Sequence, residues 1–201
     1  MARYIGPKNK LSRKIGEDLG LKSNPLKVAR RLAVRPGQHG SRGRRKVSDY
    51  GVQLNEKQKL KYLYGILEGQ LHKLYVEASR NKAATGSALL SLLERRLDNV
   101  VYRSGWAATR AAARQLVNHG HVKVNSAKMN IPSYRVQVND VLTMSSKAMK
   151  IPAVAELVKA EITPPDWIDK KQGAAKINRL PERDEITEVV QEQLVIEFYS
   201  R

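Results

Sequence analysis

An α+β protein is predicted: a mainly helical domain completed by the C-terminal segment, an inserted module of two short helices and a small antiparallel sheet, and a basic, irregular N-terminal extension. Three observations predict it. Leucines recur at three- and four-residue steps over 60–75 and again over 89–101. The period then switches to two over 121–144. The first 47 residues are rich in Lys, Arg, Gly and Pro, with few consecutive apolar residues. A chain of 201 residues suits one domain or two small ones. The segments divide as 1–47, the extension; 48–88, the helical domain, completed by 178–201; and 89–177, the inserted module with its sheet and a following helix.

In chain order, the apolar residues of 1–47 (Ile5, Leu11, Ile15, Leu19, Leu21, Leu26, Val28, Leu32, Val34) stand singly, mostly beside Lys or Arg. One short helix fits Leu11–Gly16. The stretch from Arg35 to Lys46 has almost nothing to bury and is expected to order only when phosphates neutralise it. Ser48 or Asp49 can cap the next helix. Its Leu60, Leu63, Tyr64, Leu67, Leu71, Leu74 and Tyr75 run on to about Asn81, with Gly65 and Gly69 splitting it in two. These glycines also spell Gly-x-x-x-Gly, but Lys61 and Glu68 deny that motif the apolar surroundings of a membrane helix pair.

Thr85-Gly86-Ser87 opens a stripe of Leu89, Leu93, Leu97, Val100 and Val101 that ends near Ser104-Gly105. A second helix spans Thr109 to Asn118 and stops at His119-Gly120. On a wheel of about 100° per residue, Ala112, Ala113, Leu116 and Val117 share the packing side. Arg110, Arg114, Gln115 and Asn118 occupy the opposite arc. His121–Asn125, Tyr134–Val138 and Val141–Met144 alternate as short strands, with Lys123 and Arg135 on the polar side. Pro152 opens a helix to about Ile162, ended by Pro164-Pro165. Residues 166–180 read as loop, with a candidate strand at Ala175–Ile177. From Pro181 the chain turns acidic. There Val190, Leu194 and Phe198 favour a helix, although Leu194-Ile196-Phe198 also fits a strand.

The chain carries 37 Lys+Arg against 19 Asp+Glu, a net charge of +18. The excess is +11 over 1–50, +3 over 51–100, +7 over 101–150 and −3 over 151–201. A polyanion is therefore the expected partner, gripped by the first three-quarters of the chain. A membrane is disfavoured, because no run approaches the ~18 apolar residues of a spanning helix. The start, Met1 to Pro7, lacks the apolar stretch of a secretory signal, and Pro7, Gly16 and Gly20 interrupt any amphipathic presequence. A cytosolic nucleic-acid binder fits best.

Chemistry narrows the reading further. The absence of cysteine excludes disulfides, thiolate nucleophiles, Cys-ligated zinc and iron–sulfur clusters. There is no Gly-x-Ser-x-Gly elbow, no Gly-x-x-x-x-Gly-Lys-Ser/Thr loop and no Gly-x-Gly-x-x-Gly turn. His119-x-His121 straddles a helix end, and a solvated or phosphate-contacting role suits its basic setting better than a metal. The acidic residues after Pro181 suit a solvated face or a protein contact better than acid–base chemistry. With Phe198 its only phenylalanine, the chain cannot build the aromatic sheet platform of one common RNA module. Gly37-Gln38-His39-Gly40 matches a Gly-x-x-Gly clamp but lies in coil. Residues 89–144 compete between helix–turn–helix DNA binding and a basic hollow of helix plus sheet, and the second suits structured RNA.

These residues resemble a known family. Leu93 to Arg103 (LERRLDNVVYR), Ala108-Thr109-Arg110, Ala113 to Val117 (ARQLV) and His121 to Asn125 (HVKVN) are similar to the RNA-binding domain named after the small-subunit ribosomal S-four proteins. That domain also occurs in RNA-modifying enzymes and some synthetases. The flanks Ala2 to Pro7, Pro36 to Gly40, Ser48 to Leu54 and Glu192 to Arg201 are similar to the ribosomal family itself.

The resemblance implies a non-catalytic binder of small-subunit ribosomal RNA, at a multi-helix junction in the five-prime domain, early in assembly. It implies contact with ribosomal protein S-five and other small-subunit proteins, an influence on translational accuracy, and a place near the pore that messenger RNA enters. It implies no cofactor and a cytoplasmic or organellar ribosome. By the same resemblance Arg3, Lys8, Lys10, Arg13 and Lys14 hold RNA phosphates, and Arg42, Arg44, Arg45 and Lys46 do likewise or line the messenger path. Arg103, Thr109, Arg110, Arg114, Gln115, His119, Lys123 and Asn125 form the RNA face of the domain. Glu188, Glu192 and Glu197 are the expected protein interface on a C-terminal helix packed against 49–81. Two departures stand out. Many relatives carry a Cys-ligated zinc where this chain has Asn24 to Arg31 with no thiol, so RNA and packing alone must order that segment. Where the family often has Val-Asn-Gly, this chain has Val124-Asn125-Ser126, and a positive φ at residue 126 would cost more without glycine.

Overall fold

A computed structural model describes residues 3–42, 46–81, 84–160, 162–171 and 173–201. The fold is α+β. Among the described residues the helices are α1 (Lys8–Ile15), α2 (Pro25–Leu32), α3 (Asp49–Leu63), α4 (Glu68–Ala78), α5 (Thr85–Glu94), α6 (Leu97–Arg103), α7 (Arg110–Asn118), α8 (Ser146–Met149), α9 (Pro152–Lys159) and α10 (Glu192–Tyr199). The strands β1 (Val122–Val124), β2 (Ala127–Met129), β3 (Val141–Met144), β4 (Ile168–Lys171) and β5 (Ala174–Ile177) form one antiparallel sheet in the order β2-β1-β3-β5-β4. The chain divides into two compact units: Met1–Leu89 with Glu188–Arg201, and Leu90–Thr187. No helix among the described residues is long and apolar enough to cross a membrane.

In the first unit the basic N-terminal segment is more regular than its composition suggests. α1 covers the expected short helix and ends on Gly16 at φ 94°, whose N–H donates to the Ser12 carbonyl. α2 was not foreseen. It forms because the Asn24 side chain accepts from the Lys27 N–H at 3.2 Å, Pro25 starts the first turn and Val28 is buried. Asn24 to Arg31 thus lies in a capped helix, and without cysteine it offers no thiolate to a metal. Arg13 ties α1 to the segment just after α2: its Nε donates to the Val34 carbonyl at 2.8 Å and its second guanidinium nitrogen to the Arg35 carbonyl at 3.0 Å.

Ser48 caps α3, and Gly65, at φ 61°, turns the chain between α3 and α4. The C-terminal segment is a helix rather than a strand, and α10 lies along α3. Its end is fixed by aromatic and charged contacts. Tyr199 stacks on Tyr75 with ring centroids 4.7 Å apart, and the Lys57 ammonium sits 4.4 Å from the centre of the Phe198 ring. Glu68 accepts from Lys57 at 2.8 Å, from the Tyr199 hydroxyl at 2.7 Å and from Lys61 at 3.2 Å. Burial alone would push the Glu68 carboxyl up. The hydrogen bonds from Lys57 and Tyr199 outweigh it and hold the group below the usual carboxylate range.

The leucine stripe, Leu89 to Val101, is buried throughout, but the helix that carries it breaks between α5 and α6. The break follows from backbone bonding. Leu97 N–H donates to Tyr134 at 2.8 Å, Asp98 N–H to Pro132 at 3.1 Å, and Val136 N–H to Arg95 at 2.9 Å. The alternating segment Tyr134–Val138 therefore does not join the sheet as expected. Its bonds go to the helix break, with Arg96 and Arg135 as an isolated bridge pair. β2 and β4 were not foreseen, because each is short and mostly solvent-facing. α9 stops at Lys159, short of Ile162. The buried face of the sheet (Val122, Val124, Leu142, Ala175, Ile177) closes on α6, α7, Trp106 and Trp167.

The hairpin β1–β2 closes through a two-residue turn, Asn125-Ser126, with φ of 48° and 69°. Both central residues are left-handed, as a type I′ turn requires. Asn tolerates this well; Ser does so at a cost. Replacing Ser126 by Gly is expected to stabilise the fold by about 0.5–1 kcal/mol, read as a higher urea midpoint. Leu97 is fully buried in the core, so Leu97→Ala is expected to lower stability by roughly 2–5 kcal/mol in the same titration.

Candidate nucleic-acid interface

Buried carboxylates engage several of the arginines in this region. At the end of α5, buried Glu94 receives Arg103 in a two-pronged contact, Nε at 2.9 Å and a terminal nitrogen at 2.8 Å. Asn99 Nδ2 donates to the same carboxylate at 2.7 Å. Asn99 Oδ1 then accepts from Arg110 Nε at 2.7 Å, and the Arg110 guanidinium lies 4.6 Å from the centre of the Tyr102 ring. A hydrogen-bonded chain thus runs from a buried acid to the first residue of α7. Arg103 also donates to the Thr187 hydroxyl at 3.1 Å, so its fork is occupied inside the protein.

Asp98 organises a second cluster. Arg96 grips it with two bonds of 3.1 and 2.8 Å, and Arg114 approaches to 3.7 Å. Arg96 and Asp98 are each 4% exposed and Arg114 is 5% exposed. Arg114 therefore does not stand on the solvent arc where the helical wheel put it: Asp98 draws its guanidinium inward. Thr109 is also structural in its contacts, its hydroxyl accepting from the Ala112 N–H at 3.2 Å as the cap of α7. Asn125 is exposed at the hairpin tip, yet its amide donates to Asp140 at 2.7 Å and its oxygen accepts from the Val141 N–H at 2.9 Å.

The remaining residues of the predicted RNA face point outward. Gln115 and His119 are exposed on and just after α7, and Lys123 is exposed on β1. His119 lies with its ring 6.1 Å from that of His121. Lys128, on the unforeseen strand β2, folds back over Gly120, where φ is 67° and a Cβ would collide with the lysine chain. Sequence reasoning missed Lys128 because its strand carries no apolar alternation strong enough to reveal it.

In the first unit, Arg3, Lys10, Lys14, Arg42 and Lys46 are exposed, and Arg13 is engaged as described above. Lys8, at the start of α1, is pushed below the usual lysine range by burial, and further by the positive charges of Arg3 and Lys22. Such crowding of like charge suits a bound anion. Arg44 and Arg45 lie outside the described residues. Of the acidic C-terminal residues, Glu197 accepts from Gln53 Nε2 at 2.9 Å. Glu192 and Glu188 are half-buried, and Glu192 packs where Gly86 leaves no room for a Cβ.

The two clusters respond differently to substitution. Asp98→Ala removes the carboxylate that two buried guanidinium groups face, and is expected to cost about 3–5 kcal/mol, measured by chemical unfolding. Arg110→Ala leaves the buried acid with Arg103 and Asn99, and is expected to keep the unfolding midpoint within about 1 kcal/mol of the parent.

Comparison with known proteins identifies the family. The family model described as the ribosomal protein S4/S9 N-terminal domain matches residues 3–94, and the S4 domain model matches residues 95–142. A small ribosomal subunit protein uS4 of Akkermansia muciniphila is 50% identical over 207 aligned residues, covering the whole of both chains. Its counterpart in Chloroflexus aurantiacus is 47% identical over 210 residues, again covering both chains completely. That of Streptococcus thermophilus is 48% identical over 204 residues, covering all of this chain and 99% of the relative. With two matching family models and relatives of this similarity along its full length, the chain belongs to the S-four family of small ribosomal subunit proteins.

Proposed function

We propose that this chain is a structural constituent of the small ribosomal subunit that binds small-subunit ribosomal RNA and performs no catalysis. It holds a multi-helix junction of the five-prime domain early in assembly and, with S-five, influences translational accuracy from a position close to incoming messenger RNA. The single observation that carries this reading is the full-length similarity to small ribosomal subunit proteins. The geometry supports it in a specific way. Arginines locked on Glu94 and Asp98 make a rigid scaffold, and the outward Lys, His and Gln side chains are mounted on it. A fixed array of cations reads an RNA surface by contour and phosphate position, without a base code.

Within this reading Arg110 is a phosphate contact whose orientation is set by Asn99 and Tyr102. Arg3, Lys8, Lys10, Lys14, Arg42, Lys46, Gln115, His119 and Lys123 are direct RNA contacts. Arg13, Arg103, Thr109, Arg114 and Asn125 serve the surface by shaping it. Glu188 and Glu192 face a protein neighbour, and Glu197 contributes through its contact with Gln53. The protein works in the cytoplasm, on the ribosome.

Filter binding to a transcript of the five-prime domain tests the proposal. With six to ten phosphates neutralised, affinity is expected to fall roughly a thousand- to a hundred-thousand-fold between about 50 and 200 mM salt. Arg110→Ala is expected to lower the slope of that dependence by about one. A shallow slope for the parent protein, or an equal grip on duplex DNA in competition, would overturn the reading.

A further inference from the structure

The outward face of the sheet belongs to neither carboxylate cluster. Strand register places Lys128 opposite Lys123, Lys123 opposite Thr143, Thr143 opposite Ala174, and Ala174 opposite Lys171. These residues form one row across all five strands. Two residues along, Val141, Lys176 and Asp169 form a second row on the same face. Because side chains alternate along a strand, both rows point away from the buried face that carries Val122, Leu142 and Ala175.

Lys123, Lys128, Lys171 and Lys176 are all exposed, and none of them closes an ion pair with a described residue. Elsewhere lysines find carboxylates readily: Lys57 and Lys61 meet Glu68, and Lys59 meets Glu17. Here two lysines stand directly opposite each other on neighbouring strands, an arrangement that destabilises a sheet unless an anion compensates it. Thr143, Ala174 and Val141 keep the middle of the face low. The lysines of β2 and β1 therefore form one bank and those of β5 and β4 another. Two to three interstrand spacings, roughly 10–14 Å, separate them.

We propose that this face is a phosphate-binding surface for an A-form RNA helix, with its two backbones lying along the two lysine banks. A wide, shallow minor groove flanked by phosphates matches two cationic banks over a low floor. The inference rests on the ribosomal RNA reading and extends the contact surface beyond Lys123 to the far edge of the sheet. Asp169, the one carboxylate on these rows, lies opposite Lys176 and works against phosphate binding.

The full-length chain and the five-prime-domain transcript provide the test. Lys128→Gln, Lys171→Gln and Lys176→Gln are combined in one variant. A second variant, Lys73→Gln with Lys150→Gln and Lys159→Gln, removes the same charge from exposed positions outside the sheet. The sheet variant is expected to lower the salt slope by about three and to weaken binding on the order of a few hundredfold near 0.1 M salt. The second variant is expected to keep the parent slope, and Asp169→Asn to bind several-fold more tightly. Parent-like binding by the sheet variant overturns the surface while leaving the ribosomal RNA reading intact. If that variant then fails to enter reconstituted subunits, a protein neighbour covers the face instead. Equal losses in both triple variants also overturn it, since the effect would be one of net charge. If the parent chain shows no salt-dependent binding, the ribosomal RNA reading fails first and this surface falls with it.

Discussion

Glu94 accepts the fork of Arg103 and the amide of Asn99, and Asn99 in turn accepts from Arg110. The entrance of α7 is therefore bonded to the end of α5 through side chains alone. In a chain with a net charge of +18, carboxylates are scarce, and the two buried beside α6 are each shared by more than one cationic or amide donor. A buried charge is costly unless its hydrogen-bonding capacity is filled. Multiple donors fill it here, and the same bonds immobilise arginine side chains that would otherwise keep much rotamer freedom. Stability and preorganisation thus come from one set of contacts.

The same division of labour explains what could be read in the sequence. Helical spacing of Leu89, Leu93, Leu97 and Val100 was legible because burial on one side of a helix is a local property. The switch of period near His121 was legible for the same reason. Tyr134–Val138 misled, because alternation says that a backbone is extended and does not say which backbone it bonds. Its partner is the break at Arg95–Asp98, which is remote in sequence. Arg114 misled because a wheel assigns sides without knowing that Asp98 waits on the inner one. α2 escaped notice because its evidence is a single cap, Asn24 before Pro25, amid basic residues. The cost of Ser126, by contrast, was visible in advance, since positive φ is a matter of one residue's sterics.

The first unit solves a different problem with the same means. Of the apolar residues on its C-terminal helix only Val195 is fully buried, and at the end of that helix Tyr199, Phe198 and Lys57 supply ring stacking and cation–π contact while Glu68 collects three donors. Charged groups near the surface contribute little singly, but a shared acceptor with several partners fixes geometry well. The lysines of the first unit that lack such an acceptor are concentrated in the N-terminal segment, where Lys8 feels the repulsion of Arg3 and Lys22.

The chain order of the two units has a consequence for how the molecule is made. The unit begun first, Met1–Leu89, is completed only by Glu188–Arg201, whereas Leu90–Thr187 is continuous. During synthesis the continuous stretch can close on itself while the earlier one still waits for its final helix. A nascent chain therefore leaves the side of α3 that faces α10 uncovered until Glu192–Tyr199 has been made. Truncation before α10 would leave Tyr75 and Glu68 without Tyr199, and would be felt as a maturation defect in a polypeptide whose middle had already folded.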